Sequence, residues 1–231
     1  RFEKNLYAVR SGNIYELLQS LREFQYTNSA YPFGQYIHFT ANGIAGSQKV
    51  LYKGYFGEEI YNAILYRDAK SMKDYVKARL AKASNKYLLG DFYIEQISPT
   101  NKTAYINASF EIPDYGKKVG NEYFINLHLG KLFENQTIDT AKRKVPREIE
   151  YRYEITTHHV LQIPTGYKVT YKPEDLLVET DFYKLSINYK QVDNTFIATQ
   201  KLTNKILLLL PSQFADWNKP LAKVQMHYKE Q

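Results

Sequence analysis

Strict alternation of apolar and polar residues is the feature that most limits how this chain can fold. Apolar and polar side chains alternate without a break from Tyr183 to Lys190, and a return strand is expected from Phe196 to Lys201. Successive side chains of a β-strand point to opposite faces, so the alternating segment predicts a strand with one buried and one wet face. The Asp193-Asn194 turn between them predicts a β-hairpin.

Similar patterns predict further strands along most of the chain. Tyrosine and phenylalanine, which suit a pleated and half-buried surface, are abundant at 22 and 12 residues, against only 11 glycines. The predicted strands cover 36–41, 49–55, 60–66, 92–97, 106–112, 123–129, 148–155 and 167–171.

Helical periodicity occurs in three places. Asn13 to Glu16 reads as a capping box before an apolar stripe that ends at Phe24. Ser71 begins a second predicted helix, which ends before Asn85. The third lies near the C-terminus, where a segment opening at Ser212 carries Phe214 and Trp217, and Asn218 and Pro220 suit the start of a helix bearing Leu221 and Val224.

These elements predict a mainly β (α+β) chain built as an antiparallel β-sandwich, with an N-terminal helix/meander segment, a middle helix and a C-terminal helix. We divide it into residues 1–85, a mixed helix and β-meander segment, and residues 86–231, an antiparallel β-sandwich with a C-terminal helix. The polar stretch 134–146 is either a linker or a long sandwich loop.

Composition excludes several classes of chemistry. The absence of cysteine rules out a thiol nucleophile, a disulfide scaffold and thiolate metal sites. No phosphate-binding glycine loop, nucleophile elbow or H-E-x-x-H motif occurs, so we predict no catalytic residue, no metal site and no cofactor. The longest apolar run, Ile206 to Leu210, is far too short to cross a membrane. Because the chain starts at Arg1 without a leader, we expect it to be a piece of a longer product.

Charged residues provide the first candidate interaction surface. The net charge of +7 favours an anionic neighbour. A cluster of basic residues could contact phosphates or acidic sugars, although a solubilising loop would have the same composition. We take it, with two nearby tyrosines, as a tentative interaction surface: Lys142, Arg143, Lys144, Arg147, Tyr151 and Tyr153.

Three carboxylates share one face of the predicted strand 148–155. Glu148, Glu150 and Glu154 could form the acid pair of a glycoside hydrolase. Arg152 lies among them, and alternating charge is typical of a solvated sheet face. The adjacent His158 and His159 should point to opposite faces of their strand, which makes a shared metal difficult.

The C-terminal third resembles a known family. The motifs are Val145 to Glu154, the turn Ile163-Pro-Thr-Gly-Tyr-Lys-Val169, the strand Phe182 to Tyr189 and the aromatic segment Phe214 to Lys219. In this order they resemble the last β domain, of unknown function, in bacterial transglutaminase-like proteins. The resemblance implies a domain that follows the catalytic core, in a periplasmic or cell-surface protein. The core's cysteine, histidine and aspartate have no counterpart here.

Three functions are consistent with these observations. The first is a non-catalytic accessory domain of a transglutaminase-like protein, whose partner is another domain of the same protein or a cell-surface protein; it predicts an exposed apolar patch. The second is a free-standing glycan- or polymer-binding sandwich, with an acidic glycan as candidate ligand, which predicts coplanar exposed rings among Tyr123, Phe124, Tyr151 and Tyr153. The third is a carboxylate-pair hydrolase. We do not expect nucleic acid as a partner.

Overall fold

The computed structural model describes residues 30–98, 100 and 103–229, so the predicted helix at 13–24 lies outside the described residues. The mainly β fold class is confirmed, with helices in the middle and at the C-terminus. The strands are β1 Ala30–Thr40, β2 Gly43–Tyr52, β3 Leu88–Ser98, β4 Thr103–Pro113, β5 Lys117–Val119, β6 Glu122–Phe124, β7 Arg147–Glu148, β8 Tyr153–Gln162, β9 Leu176–Glu179, β10 Tyr183–Val192, β11 Thr195–Asn204 and β12 Leu208–Leu209. The helices are α1 Gly54–Ile64, α2 Ala69–Leu80, a 3-10 turn Pro211–Gln213, α3 Phe214–Asn218 and α4 Leu221–His227.

Eight strands form one mixed sheet in the order β3-β4-β2-β1-β8-β11-β10-β9. Every neighbouring pair is antiparallel except β1 and β8, which run parallel with Gln35 opposite His159. The sheet therefore consists of two four-stranded antiparallel halves joined by one parallel pair. Strands from both sides of residue 85 belong to it, and the division of the chain at that residue stays a prediction.

The predicted alternation of buried and exposed side chains is confirmed in β10. In β10, the side chains of Tyr183, Leu185 and Ile187 are buried. Lys184 and Asn188 are exposed, and they contact Glu179 and Asp175 at the surface. The buried side chains of both sheet halves and of the helices form one continuous core. Its helical contributions are Ile60, Ile64, Val76, Leu80, Phe214, Trp217, Leu221 and Val224.

The predicted strand 60–66 is wrong, because α1 occupies most of it. Ile60 and Ile64 are four residues apart and both buried, which is the spacing of one helical face rather than of a strand. The next helix, α2, is confirmed, but it begins before Ser71. The Asp68 side chain is its N-cap and accepts a hydrogen bond from the Ser71 amide at 2.8 Å.

Two predicted strands are largely irregular. The strand expected at 123–129 ends at Phe124, because the Asn126 side chain accepts from the His128 amide (2.9 Å) and forms a local turn. The segment 167–171 has no strand structure. It lies between Pro164 and Pro173, which cannot donate backbone hydrogen bonds to a neighbouring strand.

The strand expected at 148–155 is also divided. Glu148 belongs to β7, which pairs with β12, and the chain bends before β8 begins at Tyr153. Glu148, Glu150 and Glu154 therefore do not share one strand face, and Glu154 pairs instead with Lys201 at 3.1 Å. The predicted common face of these carboxylates is wrong.

The stretch 134–146 is a long loop that packs on the C-terminal helices rather than a free linker. The Trp217 indole donates to the Gln136 carbonyl (2.9 Å). The Asn218 side chain forms two hydrogen bonds with the backbone of Ile138, at 2.8 and 2.7 Å. Within the described part of the chain, no helix has the length and apolar character that a membrane crossing needs.

Candidate functional site

An open groove of about 630 Å³ lies between two irregular segments of the C-terminal half. One wall is the segment 121–128 and the other is the loop 163–173, while Leu161, Tyr189 and Phe196 of the sheet contribute to its floor. We call it the aromatic groove and define it by Phe39, Tyr123, Phe124, Tyr167 and Tyr171, all of which line it.

The loop wall follows from its local sequence. The Tyr167 amide donates to the Pro164 carbonyl at 3.0 Å, which closes a tight turn. Gly166 has a φ of +83°, a left-handed conformation that glycine adopts without steric cost. The turn redirects the chain after β8 and brings the Tyr167 ring to the groove.

Tyr123 is the centre of a ring cluster in the groove. Its centroid lies 4.5 Å from Phe39 and 5.2 Å from Tyr167, at interplanar angles of 33° and 58°. The Lys118 ammonium lies 5.2 Å from the Tyr123 centroid, a cation–π contact. Because the rings are tilted, they do not form the coplanar platform expected for a glycan-binding face.

Three aromatic residues of the groove remain substantially exposed. The exposed fractions are 57% for Tyr171, 41% for Phe124 and 38% for Tyr167. Large apolar side chains concentrated around one concave surface are typical of binding sites. The geometry therefore suits an apolar or aromatic ligand group inserted between the two walls.

A buried histidine–tyrosine cluster supports the base of the groove. The Tyr189 hydroxyl lies 2.6 Å from His128 Nε2 and 2.9 Å from His227 Nε2. Since a hydroxyl has one hydrogen, it donates to one imidazole and accepts from the other. Burial, with smaller contributions from His159, His227 and Lys131, lowers the pKa of His128 to about 3, so this ring is neutral near pH 7.

The adjacent histidines on β8 confirm the predicted opposite orientation. His158 is exposed and its Nδ1 lies 3.0 Å from the Thr199 hydroxyl. His159 is fully buried, and its Nδ1 lies 2.7 Å from Gln35 Oε1. Among the described residues, no group of three or more histidine, aspartate or glutamate side chains is arranged to hold a metal ion.

The predicted basic cluster consists of three exposed residues on one loop and the half-buried Arg147. Lys142 is exposed and lies 3.5 Å from Asp139, and Lys144 donates to the Thr140 carbonyl at 2.9 Å. Arg143 donates to the carbonyls of its own loop, Val145 and Pro146. These three residues therefore lie together on one exposed loop.

Arg147 lies deeper than the other basic residues. Its guanidinium is 5.5 Å from the Trp217 ring centroid and donates to the Gln136 side chain. Burial lowers its pKa, an effect that Tyr153 opposes and Arg143 reinforces. The structure thus places Arg147 near Tyr153 but gives it a packing role.

Tyr151 and Tyr153 form part of a separate aromatic cluster against α1. Tyr151 stacks on Tyr55 at 4.7 Å and meets Phe56 edge-on at 5.3 Å, while Tyr153 lies 5.8 Å from Phe56. Burial raises the pKa of Tyr151 to about 12. Neither residue lines the aromatic groove.

The sequence indicates Tyr123 and Phe124 as candidate exposed rings but does not indicate Phe39, Tyr167 and Tyr171. The turn expected at Pro164-Thr165-Gly166 is confirmed, whereas a strand over 167–171 would have buried alternate side chains of that segment. An aromatic residue directly after a Pro-x-Gly turn was the available signal for an exposed ring.

Most of the residues that line the groove lie in a segment that matches a known family. Residues 121–231 match the model of a family described as a domain of unknown function with solved structure, DUF3858. The predicted resemblance to a domain of unknown function is thus supported over these residues. No curated protein and no solved structure matches the chain.

Proposed function

We propose that this chain is a non-catalytic accessory β domain of a transglutaminase-like multidomain protein, and that the aromatic groove is the surface by which it packs on the core or presents the core to a partner. The partner is another domain of the same protein or a cell-surface protein. By analogy with such proteins, the site of action is the periplasm or the cell surface.

The observation that carries the proposal is the exposed apolar surface of the groove. Phe124, Tyr167 and Tyr171 are large, partly exposed and gathered on one concavity, as expected where a second polypeptide surface docks. The order of motifs from Val145 to Lys219 resembles the accessory domain of transglutaminase-like proteins, and residues 121–231 match a family described as a domain of unknown function.

Hydroxyl-radical footprinting of the isolated chain and of the native full-length product tests this proposal. Tyr171 and Phe124 should be oxidised in the isolated chain and protected at least severalfold in the native product. Tyr66 and Tyr93, which are 91% and 58% exposed and lie outside the groove, are the internal controls and should react alike in both. Equal oxidation of Tyr171 in the two samples would contradict docking at the groove.

A second candidate is a free-standing glycan- or polymer-binding module. The cation–π pair of Lys118 and Tyr123, with Tyr167 beside it, supports this alternative, because a sugar ring can stack on such aromatics and an acidic glycan would meet the lysine. The N-terminal sequence of the native product separates the two. An upstream segment with cysteine, histidine and aspartate in transglutaminase-like order supports the first function. If that segment is absent, oligosaccharide titration of Tyr167→Ala against the parent chain tests the second.

A further inference from the structure

A second cavity, of about 920 Å³, lies beside the C-terminal end of α2. Its walls come from the residues that follow α2, the segment 115–117, the segment 124–134 and two residues of β8. We call it the lysine cavity and define it by Lys82, Lys117, Lys131, His128 and Thr157, all of which line it.

The charges around this cavity are unbalanced. Glu134 is the single carboxylate among the residues that line it, and it lies 3.3 Å from Lys131. No carboxylate of the described residues forms an ion pair with Lys82 or Lys117, so two positive charges lack a counter-charge.

Lys82 is an exposed residue whose side chain lies at the wall of the cavity. The stem of its side chain packs beside Gly130, within 3.9 Å of where a Cβ would be. Burial lowers the pKa of the Lys82 ammonium, and the positive charge of Arg79 lowers it further. A cation in this setting gains more from an anionic ligand than a fully solvated lysine would.

Two buried polar atoms in the wall also lack partners. His128 Nδ1 and Thr157 Oγ1 form no hydrogen bond, although His128 is 2% exposed and Thr157 4% exposed. Leaving such groups unpaired is energetically unfavourable, so buried polar atoms normally have partners. Their place beside a cationic cavity indicates a ligand that brings hydrogen-bonding oxygens.

We propose that the lysine cavity binds a small ligand through its carboxylate group, with Lys82 and Lys117 supplying charge. After a small side-chain adjustment, the Thr157 hydroxyl and His128 Nδ1–H donate hydrogen bonds to the carboxylate, in the tautomer in which His128 Nε2 accepts from the Tyr189 hydroxyl.

This site adjoins the aromatic groove, with which it shares Phe124 and His128 as lining residues, but the inference does not depend on the function proposed for the groove. A cation would be repelled by the two lysines, and a purely apolar ligand would leave both buried polar atoms unpaired. The volume lies within the range of small-molecule sites.

An NMR titration of the whole chain tests this inference. The probes are triglutamate, its uncharged isostere triglutamine, citrate as a carboxylate not attached to a peptide, and inorganic phosphate as a competing anion. Amide shifts of Lys82 and Gly130 should move with triglutamate or citrate, and triglutamine should bind at least tenfold more weakly. A response to triglutamate alone identifies an acidic peptide as the source of the carboxylate, whereas a response to both identifies the free group.

Matched variants assign the effect to the cavity. Lys82→Gln, Lys117→Gln and Thr157→Val should each weaken triglutamate binding by about tenfold, because each removes one charge or hydroxyl without a large change in size. Lys142→Gln removes an exposed lysine outside the cavity and should change the affinity less than twofold. Thermal unfolding of each variant verifies that it is folded.

The inference is overturned if triglutamate and triglutamine bind alike, if neither carboxylate probe shifts the cavity amides, or if inorganic phosphate binds more tightly than both carboxylate probes. It is also overturned if Lys82→Gln and Lys117→Gln, both folded, bind triglutamate as the parent chain does.

Discussion

His159 Nδ1 lies 2.7 Å from Gln35 Oε1, across the single parallel pair that joins the two halves of the sheet. Because the glutamine oxygen can only accept, the imidazole must carry its hydrogen on Nδ1. The bond is fully buried and connects a strand of the N-terminal half to a strand of the C-terminal half.

This bond is the centre of a row of buried polar side chains that crosses the sheet. On one side, Gln35 Nε2 donates to Gln48 Oε1 (2.9 Å), and Gln48 Nε2 donates to the Tyr87 hydroxyl. On the other side, Gln200 Nε2 lies 3.4 Å from His159 Nε2 and donates to the Gly130 carbonyl at 2.9 Å. These hydrogen bonds help to fix the parallel direction and the register of β1 against β8, which alternation of apolar and polar residues alone would leave unspecified.

Replacing His159 by leucine should destabilise the chain strongly. The change leaves the buried Gln35 amide oxygen without its donor, and we expect the free energy of unfolding to fall by about 2–4 kcal/mol. Urea denaturation measures the difference. His158→Leu is the matched control, since His158 lies on the exposed face of the same strand and should change stability by only about 0.5 kcal/mol. Equal losses in the two variants would contradict a special role for the buried row.

Two of the buried histidines, His128 and His159, should make folding sensitive to acid. Burial lowers the pKa of both His128 and His159 to about 3, whereas an unfolded histidine titrates near 6.5. Below pH 6.5 the unfolded chain therefore binds protons that the folded chain does not, and stability is lost as pH falls from 6.5 toward 3. Each of these histidines should lower the free energy of unfolding at pH 4.5 by about 2–3 kcal/mol relative to pH 7.

Urea denaturation at pH 7 and pH 4.5 measures this loss, and His159→Gln provides the comparison. Glutamine retains an N–H donor for Gln35 but does not titrate, so the pH dependence should weaken by the contribution of one histidine. A parent chain as stable at pH 4.5 as at pH 7 would show that the folded histidines are not kept neutral.

The sequence was sufficient for the elements whose burial follows a regular period. The hairpin of β10 and β11 was predicted because a strictly alternating strand is followed by the Asp193-Asn194 turn and a second strand-like segment. The burial of Leu185 and Ile187 follows directly from that pattern. Local periodicity and turn chemistry act over a few residues, so one sequence reveals them.

The parallel pairing of β1 with β8 could not be predicted in this way. It joins residues more than a hundred positions apart, such as Gln35 and His159, and no local period encodes the partner. Polar residues at inward positions, among them Gln48 and Gln200, were the available signal, since each interrupts an apolar face.

The aromatic groove could not be predicted for a related reason. Tyr167 and Tyr171 have the spacing of a strand, but the prolines around them prevent one.

Gly166→Ala should destabilise the loop wall of the groove, although the new methyl meets no atom within 4 Å. Its cost comes from the backbone alone, because a φ of +83° is unfavourable for residues with a side chain. We expect a loss of about 1–2 kcal/mol in the free energy of unfolding, measured with urea, together with shifted NMR signals for Tyr167.

Gly34→Ala is the matched control for this effect. Gly34 lies in β1, also has no atom within 4 Å of an added methyl, and does not have a left-handed φ. Alanine there should leave stability unchanged or raise it by up to about 1 kcal/mol. If both substitutions destabilise the chain to the same degree, the conformation of Gly166 is not the cause.

Arg147 should be the one residue of the predicted basic cluster that the fold requires. Arg147→Lys removes the planar group that lies over Trp217 and donates to Gln136, and lysine cannot reproduce this stacked geometry. We expect the free energy of unfolding to fall by about 1–2 kcal/mol in a urea titration. Arg143→Lys makes the same change on the exposed loop, where the guanidinium contacts only backbone carbonyls, and should cost no more than about 0.5 kcal/mol. A loss at Arg143 as large as that at Arg147 would show that the ring contact contributes little, and Arg147 would then be available to a partner as a surface cation.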